Sequence, residues 1–454
     1  MAGKSGLGYR HILLFAAVMA SMLFTSCDLF ARRPAVLWTD TPEMLSAVEL
    51  FNASQNEHLI EVRYVEDPAT ELRTAGSSAR RRPSLVIGRG LRTQSLGREF
   101  QSLEYLFGEL VLSRNAFYPH LLKGGMQGGR LMFIPMSFNL LVILSAKENA
   151  ALQGLSELDS PSDTGNSISM ESIARRAALF NRTEGGETKR MGFSPRWPDR
   201  DFLFQWIQYQ GANFQESGIR ERMGLVQGSS LPVTWDQNGL TRGLDSLRSY
   251  VKTLNGSAGE EDSYAFRYLF APGYKNVLEG KAGFAAMASE DFFTLSPVAR
   301  SRFDFRYFAE SGSLAIKEDI RYAGIPRRAP DDEAAMRFLR WFCSRENQEK
   351  ILERARSLRL SENEFGIAGG FSAMPEVTRE VFPRYYTDLA GRLPDADMVR
   401  PPLHMPVLWR RLKEEVLLPW MDSQAGAEAV DASQTTKELA SRITTWLGEN
   451  PELR

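Results

Sequence analysis

The chain has 454 residues, with four histidines, two cysteines and 56 acidic side chains. These bound the chemistry open to it. His11, His58, His120 and His404 are scattered, with no metal-ligand spacing. No Gly-x-Ser-x-Gly elbow occurs. Serine, thiol and zinc chemistry therefore lack local support, and neither a metal nor a cofactor is expected. The run Gly124-Gly125-Met126-Gln127-Gly128-Gly129 lacks the Gly-Lys-Ser/Thr ending of a phosphate-cradling loop. It is expected to turn the chain into Leu131–Pro135. Two carboxylates could still meet across a cleft as a glycoside-cleaving pair, which sequence spacing leaves open.

Cys27 carries a different chemistry. Lys4 and Arg10 precede an apolar run, Ile12 to Phe24, of signal-peptide length and short of the ~20 residues a spanning helix needs. The stretch Leu23-Phe24-Thr25-Ser26-Cys27-Asp28 resembles the lipobox of bacterial lipoproteins. That resemblance implies cleavage after residue 26 and acylation of Cys27, with several chains giving a durable anchor. An ordinary cleaved signal followed by cysteine is the alternative. Residues 1–26 then form the signal and 27–33 a tether. The mature chain from Cys27 has 53 basic and 56 acidic residues, a balance that gives no reason to expect nucleic acid as a partner. Cys343 is left without a disulfide partner and reads as a small buried apolar residue.

Any binding side chains must be positioned by a regular scaffold. Ala35-Val36-Leu37-Trp38 reads as a strand, and Thr39 to Glu43 as a capped helix start with Pro42 in the first turn. Ile60–Tyr64 alternates as a second strand, and Ser84–Ile87 is a short, continuously apolar third. Strands separated by helical stretches predict a parallel α/β sheet. Residues 154–168 read as a loop. Phe202–Gln210 and the segment from Trp235 through Val251 have helical spacing. Pro330-Asp331-Asp332-Glu333 caps a long amphipathic helix through Phe342 and Ile351.

Several stretches then fall in a telling order. They are Val36-Leu37-Trp38-Thr39-Asp40, Gly129 to Phe138 (Gly-x-x-x-x-x-Pro-x-Ser-Phe) and Gly211-Ala212-Asn213-Phe214. Leu278 to Met287 (Leu-x-Gly-Lys-Ala-x-x-x-x-Met), Ala323-Gly324-Ile325-Pro326 and Pro401 to Trp409 follow. In this order the chain resembles the extracellular solute-binding proteins of ABC importers, in the branch that includes maltose- and oligosaccharide-binding proteins. The resemblance implies an α/β fold of the periplasmic-binding-protein type II kind, with two lobes joined by a multi-strand hinge around a ligand cleft. Lobe one would hold 34–140 and 312–355, and lobe two 141–311 and 356–454, with crossings near Ser137–Val142, Phe308–Ser313 and Leu358–Gly370. It further implies a monomeric, non-enzymatic protein of the cell envelope. Its partners would be a sugar-like solute, the ABC permease subunits and, through the lipid on Cys27, a membrane. A surface or sensory lipoprotein with a degenerate cleft is the alternative.

Ligands of open α/β sheets sit outside the carboxyl ends of the strands. Trp38, Thr39, Asp40 and Glu43 occupy that place after strand one, the carboxylates accepting from hydroxyls and the indole offering a flat face. Trp38 as core and Asp40 or Thr41 as helix cap are the competing roles. Ser137 and Phe138 fall at the first crossing. Asp291, Phe292 and Phe293 follow the Met287 strand, where the family often places an indole. Trp409 matches a second platform position, and Phe371 the third crossing. Arg89, Arg92 and Arg114 would suit an anionic ligand or simply the surface.

Overall fold

The computed structural model describes residues 34–74, 82–108, 112–149, 163–197, 199–218 and 231–451. Cys27, the signal and the tether lie outside them, as do most of the arginine-rich stretch before Arg82 and most of the 154–168 loop. Eleven strands make two sheets: β1 (Ala35–Thr39), β2 (Ile60–Tyr64), β3 (Leu85–Gly88), β4 (Ile134–Phe138), β5 (Leu141–Ala146), β6 (Ser167–Ile168), β7 (Ala285–Ala288), β8 (Phe303–Glu310), β9 (Ser313–Leu314), β10 (Arg321–Gly324) and β11 (Phe371–Ser372). The first sheet has the order β11-β4-β10-β3-β1-β2, and the second β7-β5-β8-β9 with β6 on β8. The expected parallel sheet is mixed. β1 pairs parallel with β2 and β3, but β10 pairs antiparallel with both β3 and β4. Later chain returns to the sheet by direct crossing, so no helix enforces parallel order.

The helices that matter for the site are α1 (Met44–Ser54), α2 (Arg200–Ile207), α3 (Gln237–Leu254), α4 (Ser289–Thr294), α5 (Asp332–Phe342), α6 (Arg345–Ser357) and α7 (Trp409–Leu412). Helix α1 begins later than expected, because Thr41, Pro42 and Glu43 form a turn closed by the Met44 N–H on the Thr41 carbonyl. The long helix after Asp331 is two helices, broken at Cys343–Ser344. Asp331 does cap the first, its Oδ1 accepting from the Ala334 N–H at 3.0 Å. Helix α3 follows its sequence pattern, burying Leu240, Leu244, Leu247 and Val251. Gly128 and Gly129 take positive φ in the tight turn between the paired segments Met126–Gln127 and Arg130–Leu131, as a two-residue hairpin requires.

One core cluster surrounds the first sheet and continues onto one face of the second. The other lies on the second sheet's far face. Strand β5 shows why: Val142 and Leu144 join the first cluster, Leu141 and Ile143 the second, following the period of two. The chain passes between sheets at Asn139–Leu140 and again at Ile316–Ile320, a little later than the expected Phe308–Ser313. Residues 371–399, expected in lobe two, touch both sheets: β11 pairs with β4 of the first, while Asp388 and Arg392 bind Arg300, Asp304 and Tyr307 of the second. Phe371 packs within 6 Å of Phe138, Phe293, Phe365 and Phe382, and β11 hydrogen-bonds to β4. Burying those rings together outweighs chain continuity.

Candidate ligand-binding cleft

The carboxyl ends of β1, β2 and β3 open onto a cavity of about 250 Å³. Asp40, Glu66, Asp67, Arg89 and Gly90 come from this edge. The facing wall is built by Asp201 from the first turn of α2, Glu290 from α4, and Trp409 and Lys413 from α7 and the π-helical turn after it. Lys317, Glu318, Asp319 and Ile320, on the second passage between sheets, form the floor. Trp409 and Lys413 are four residues apart, so they share a helix face.

Charges on this floor are closely knit. Lys413 Nζ lies 2.6 Å from Asp201 Oδ1 and 3.0 Å from Glu318 Oε2. Lys317 Nζ sits among three carboxylates, 3.1 Å from Asp201, 3.7 Å from Glu290 and 4.0 Å from Asp319. Burial works to raise the Asp201 carboxyl, but Lys413 and Lys317 outweigh it and hold it below the usual range. Its neighbours go the other way. Burial, then repulsion from Asp201, pushes Asp199 up to about 6. Burial and Asp319 raise Glu290, and burial raises Glu318 despite Lys413. Two buried polar atoms of the lining have no hydrogen-bond partner: the Trp409 indole Nε1 and the Asp319 Oδ1.

Of the residues singled out by sequence, Asp40 and Trp409 line this cavity. Asp40 is held by Arg89, whose Nε donates at 2.8 Å and whose backbone N–H donates at 3.2 Å, so Arg89 is spent on a carboxylate. Arg92 also lines the cavity and donates to the Pro402 and Leu403 carbonyls; Arg114 pairs with Glu104 instead. The others lie elsewhere. Trp38 is core, with Arg63 5.1 Å above its ring. Thr39 accepts from the Thr41 N–H, and Ser137 donates to the Ala368 carbonyl at 2.8 Å. Glu43 is half-buried beside Glu364, a carboxyl pushed up to about 7 by burial and by that neighbour. Phe138, Phe292, Phe293 and Phe371 are fully buried in the first core. Asp291 is exposed on α4, next to the Glu290 that does reach the cavity.

The difference at 290–293 is a matter of phase. The segment is helical, so Glu290 faces the cavity while Phe292 and Phe293 turn to the core. The charged run Lys317-Glu318-Asp319 was the missed signal. Three consecutive charges between apolar strands mark a place where the chain leaves one core for another. Asn139, also unpredicted, ties the first passage together. Its amide donates at 2.8 Å to both Glu290 Oε2 and the Gly369 carbonyl, and its Oδ1 accepts from Ser289.

Among the described residues, no group of histidine, cysteine or carboxylate side chains is placed to hold a metal. No helix there is long and apolar enough to cross a membrane. No family model matches the sequence, and no curated protein matches it either. Solved structures do match. The sugar-binding protein MalE from Xanthomonas citri superposes with a TM-score of 0.62 at 11% identity, covering 92% of this chain and 98% of that one. A sugar transporter from Rhizobium etli in an open conformation gives 0.61 at 14%, covering 91% and 99%. The cyclic alpha-maltosyl-1,6-maltose binding protein from Arthrobacter globiformis gives 0.57 at 14%, covering 91% and 99%. Over nine-tenths of its length, then, this chain has the two-lobed α/β fold of the sugar-binding, ABC-type substrate-binding proteins.

Proposed function

We propose that the protein is a lipid-anchored, extracytoplasmic solute-binding protein that captures a small polar solute of the sugar class by lobe closure and hands it to an ABC importer. One observation carries this reading. The cavity lies outside the carboxyl ends of β1–β3 and takes its opposite wall from the second sheet's helices, so a ligand there touches both halves. The sugars bound by proteins of the same fold support the solute class. Asp40 and Asp319 would accept from hydroxyls, and the Trp409 indole would donate from an apolar wall shared with Met405 and Val407.

Calorimetry and small-angle scattering with a panel of monosaccharides and oligosaccharides test the reading together. A binding sugar should shrink the radius of gyration, and binding with unchanged dimensions would remove lobe closure. Cys27→Ser should release the protein from membranes; retention would remove the anchor. A second reading, a sensory or surface lipoprotein without transport, draws on the burial of Phe292, Phe293 and Phe371 away from the cleft. It predicts that no panel member binds.

A further inference from the structure

We infer that the ligand is a compact, positively charged polyol, of the chemical class of an amino sugar with a single ring. This rests on the solute-binding reading above and narrows it. Three observations point the same way. The first is charge. The lining holds eight carboxyl side chains (Asp40, Glu66, Asp67, Asp201, Glu290, Glu318, Asp319 and Glu414) against five cations (Arg89, Arg92, Lys317, Arg410 and Lys413). Each cation already has protein partners. Arg89 is on Asp40, Arg410 on Glu66, Lys413 between Asp201 and Glu318, and Arg92 on two carbonyls. Lys317 alone serves three carboxylates. A further anion would add to an existing excess, whereas an ammonium group would offset it.

The second observation is the pair of unmet hydrogen-bonding atoms. Trp409 is 7% exposed, and its Nε1 is a buried donor with no acceptor. Asp319 Oδ1 is a buried acceptor with no donor, and the same carboxylate holds Lys317 only at 4.0 Å. Buried polar atoms left unpaired are costly, and both atoms lie just behind the cavity wall, closed to solvent, so a ligand would meet them only as lobe closure moves the lining. A hydroxyl oxygen suits the indole, and an ammonium suits the carboxylate. The third is size. At about 250 Å³ the cavity falls below the ~300 Å³ at which pockets for drug-sized ligands begin. One sugar ring is of that scale and a linear oligosaccharide is not.

Calorimetric titration of the full chain with glucosamine, glucose, N-acetylglucosamine and maltotriose tests this. Glucosamine should bind at least tenfold more tightly than glucose or its own uncharged N-acetyl derivative. Asp319→Asn, which keeps shape while removing charge, should erase most of that preference and leave glucose within twofold. Equal or tighter binding of glucose, the N-acetyl sugar or maltotriose overturns this inference and leaves the solute-binding reading standing. A preference unchanged in Asp319→Asn overturns it as well. If the variant fails to fold, the four-ligand comparison on the unaltered chain decides. Silence from all four ligands overturns the solute-binding reading itself.

Discussion

Two regions joined by Asn139 are built on opposite principles. On one side, Phe293, Phe365, Phe371, Phe382 and Tyr386 form a block of rings at centroid distances of 4.6–5.9 Å. On the other, Lys317, Lys413, Asp201, Glu290 and Glu318 form a buried knot of charge. The ring block satisfies itself, since apolar contact is non-directional and every neighbour serves. The charged knot is directional instead: Asp201 is held by both lysines, Glu318 by Lys413, and Glu290 by Lys317 and the Asn139 amide, while Asp319 Oδ1 beside them has no donor. The first region therefore stores stability and the second reactivity toward a guest. The sequence offered Phe138, Phe292, Phe293 and Phe371 among the ligand-binding candidates, and the structure buries all four in the ring-rich core.

Substitutions can break or sharpen this contrast. Phe371→Ala should have the largest effect. It leaves a cavity among four rings and should cost about 3–5 kcal/mol in denaturant unfolding. Ligand affinity of the folded fraction should stay unchanged; a weakened affinity with intact stability would put Phe371 back in the site. Lys413→Met should cost about 3 kcal/mol at neutral pH, since it strands the buried Glu318 carboxylate and leaves Asp201 with Lys317 alone. Much of that loss should be recovered in mild acid, where the carboxylates protonate, and a pH-independent loss would deny the pairing.

Asp199→Asn should do the reverse and stabilise. Because the folded chain keeps a proton on Asp199 that the unfolded chain releases, this group's stability is full below about pH 4 and is lost as pH rises toward its folded value of about 6. Asparagine keeps the cap on the Asp201 N–H. Thermal melts should therefore show a gain of the order of 1 kcal/mol at pH 8 and none at pH 4. A gain equal at both would mean that charge is not the cause. The smallest effect belongs to Arg410→Ala, whose exposed 3.3 Å contact with Glu66 is worth under about 1 kcal/mol and should vanish in high salt.

How much was legible follows from the same contrast. Periodicity reports which residues are apolar and how they repeat, so β1–β3, α3 and the capped helix start within Pro330–Glu333 could be read directly. The two-lobed fold was reached through the order of short motifs, no one of which is specific. The site was mostly hidden. Asp40 and Trp409 lie where strand-end and motif arguments put them. Glu290 differs from the chosen Asp291 by one residue in a helix whose phase no alternation reveals. Lys413 meets Asp201 and Glu318 across 212 and 95 positions of sequence, respectively, and such encounters leave no local trace.

The rim of the cleft contains one buried arginine, Arg92, seated on the Pro402 and Leu403 carbonyls, with the Gln94 N–H on Glu216 nearby in sequence. The Arg410–Glu66 contact is wet and weak by comparison. Dissolved ions would loosen it and leave the buried Arg92 in place, so entry to the cleft should respond to ionic strength while the Arg92 seat holds.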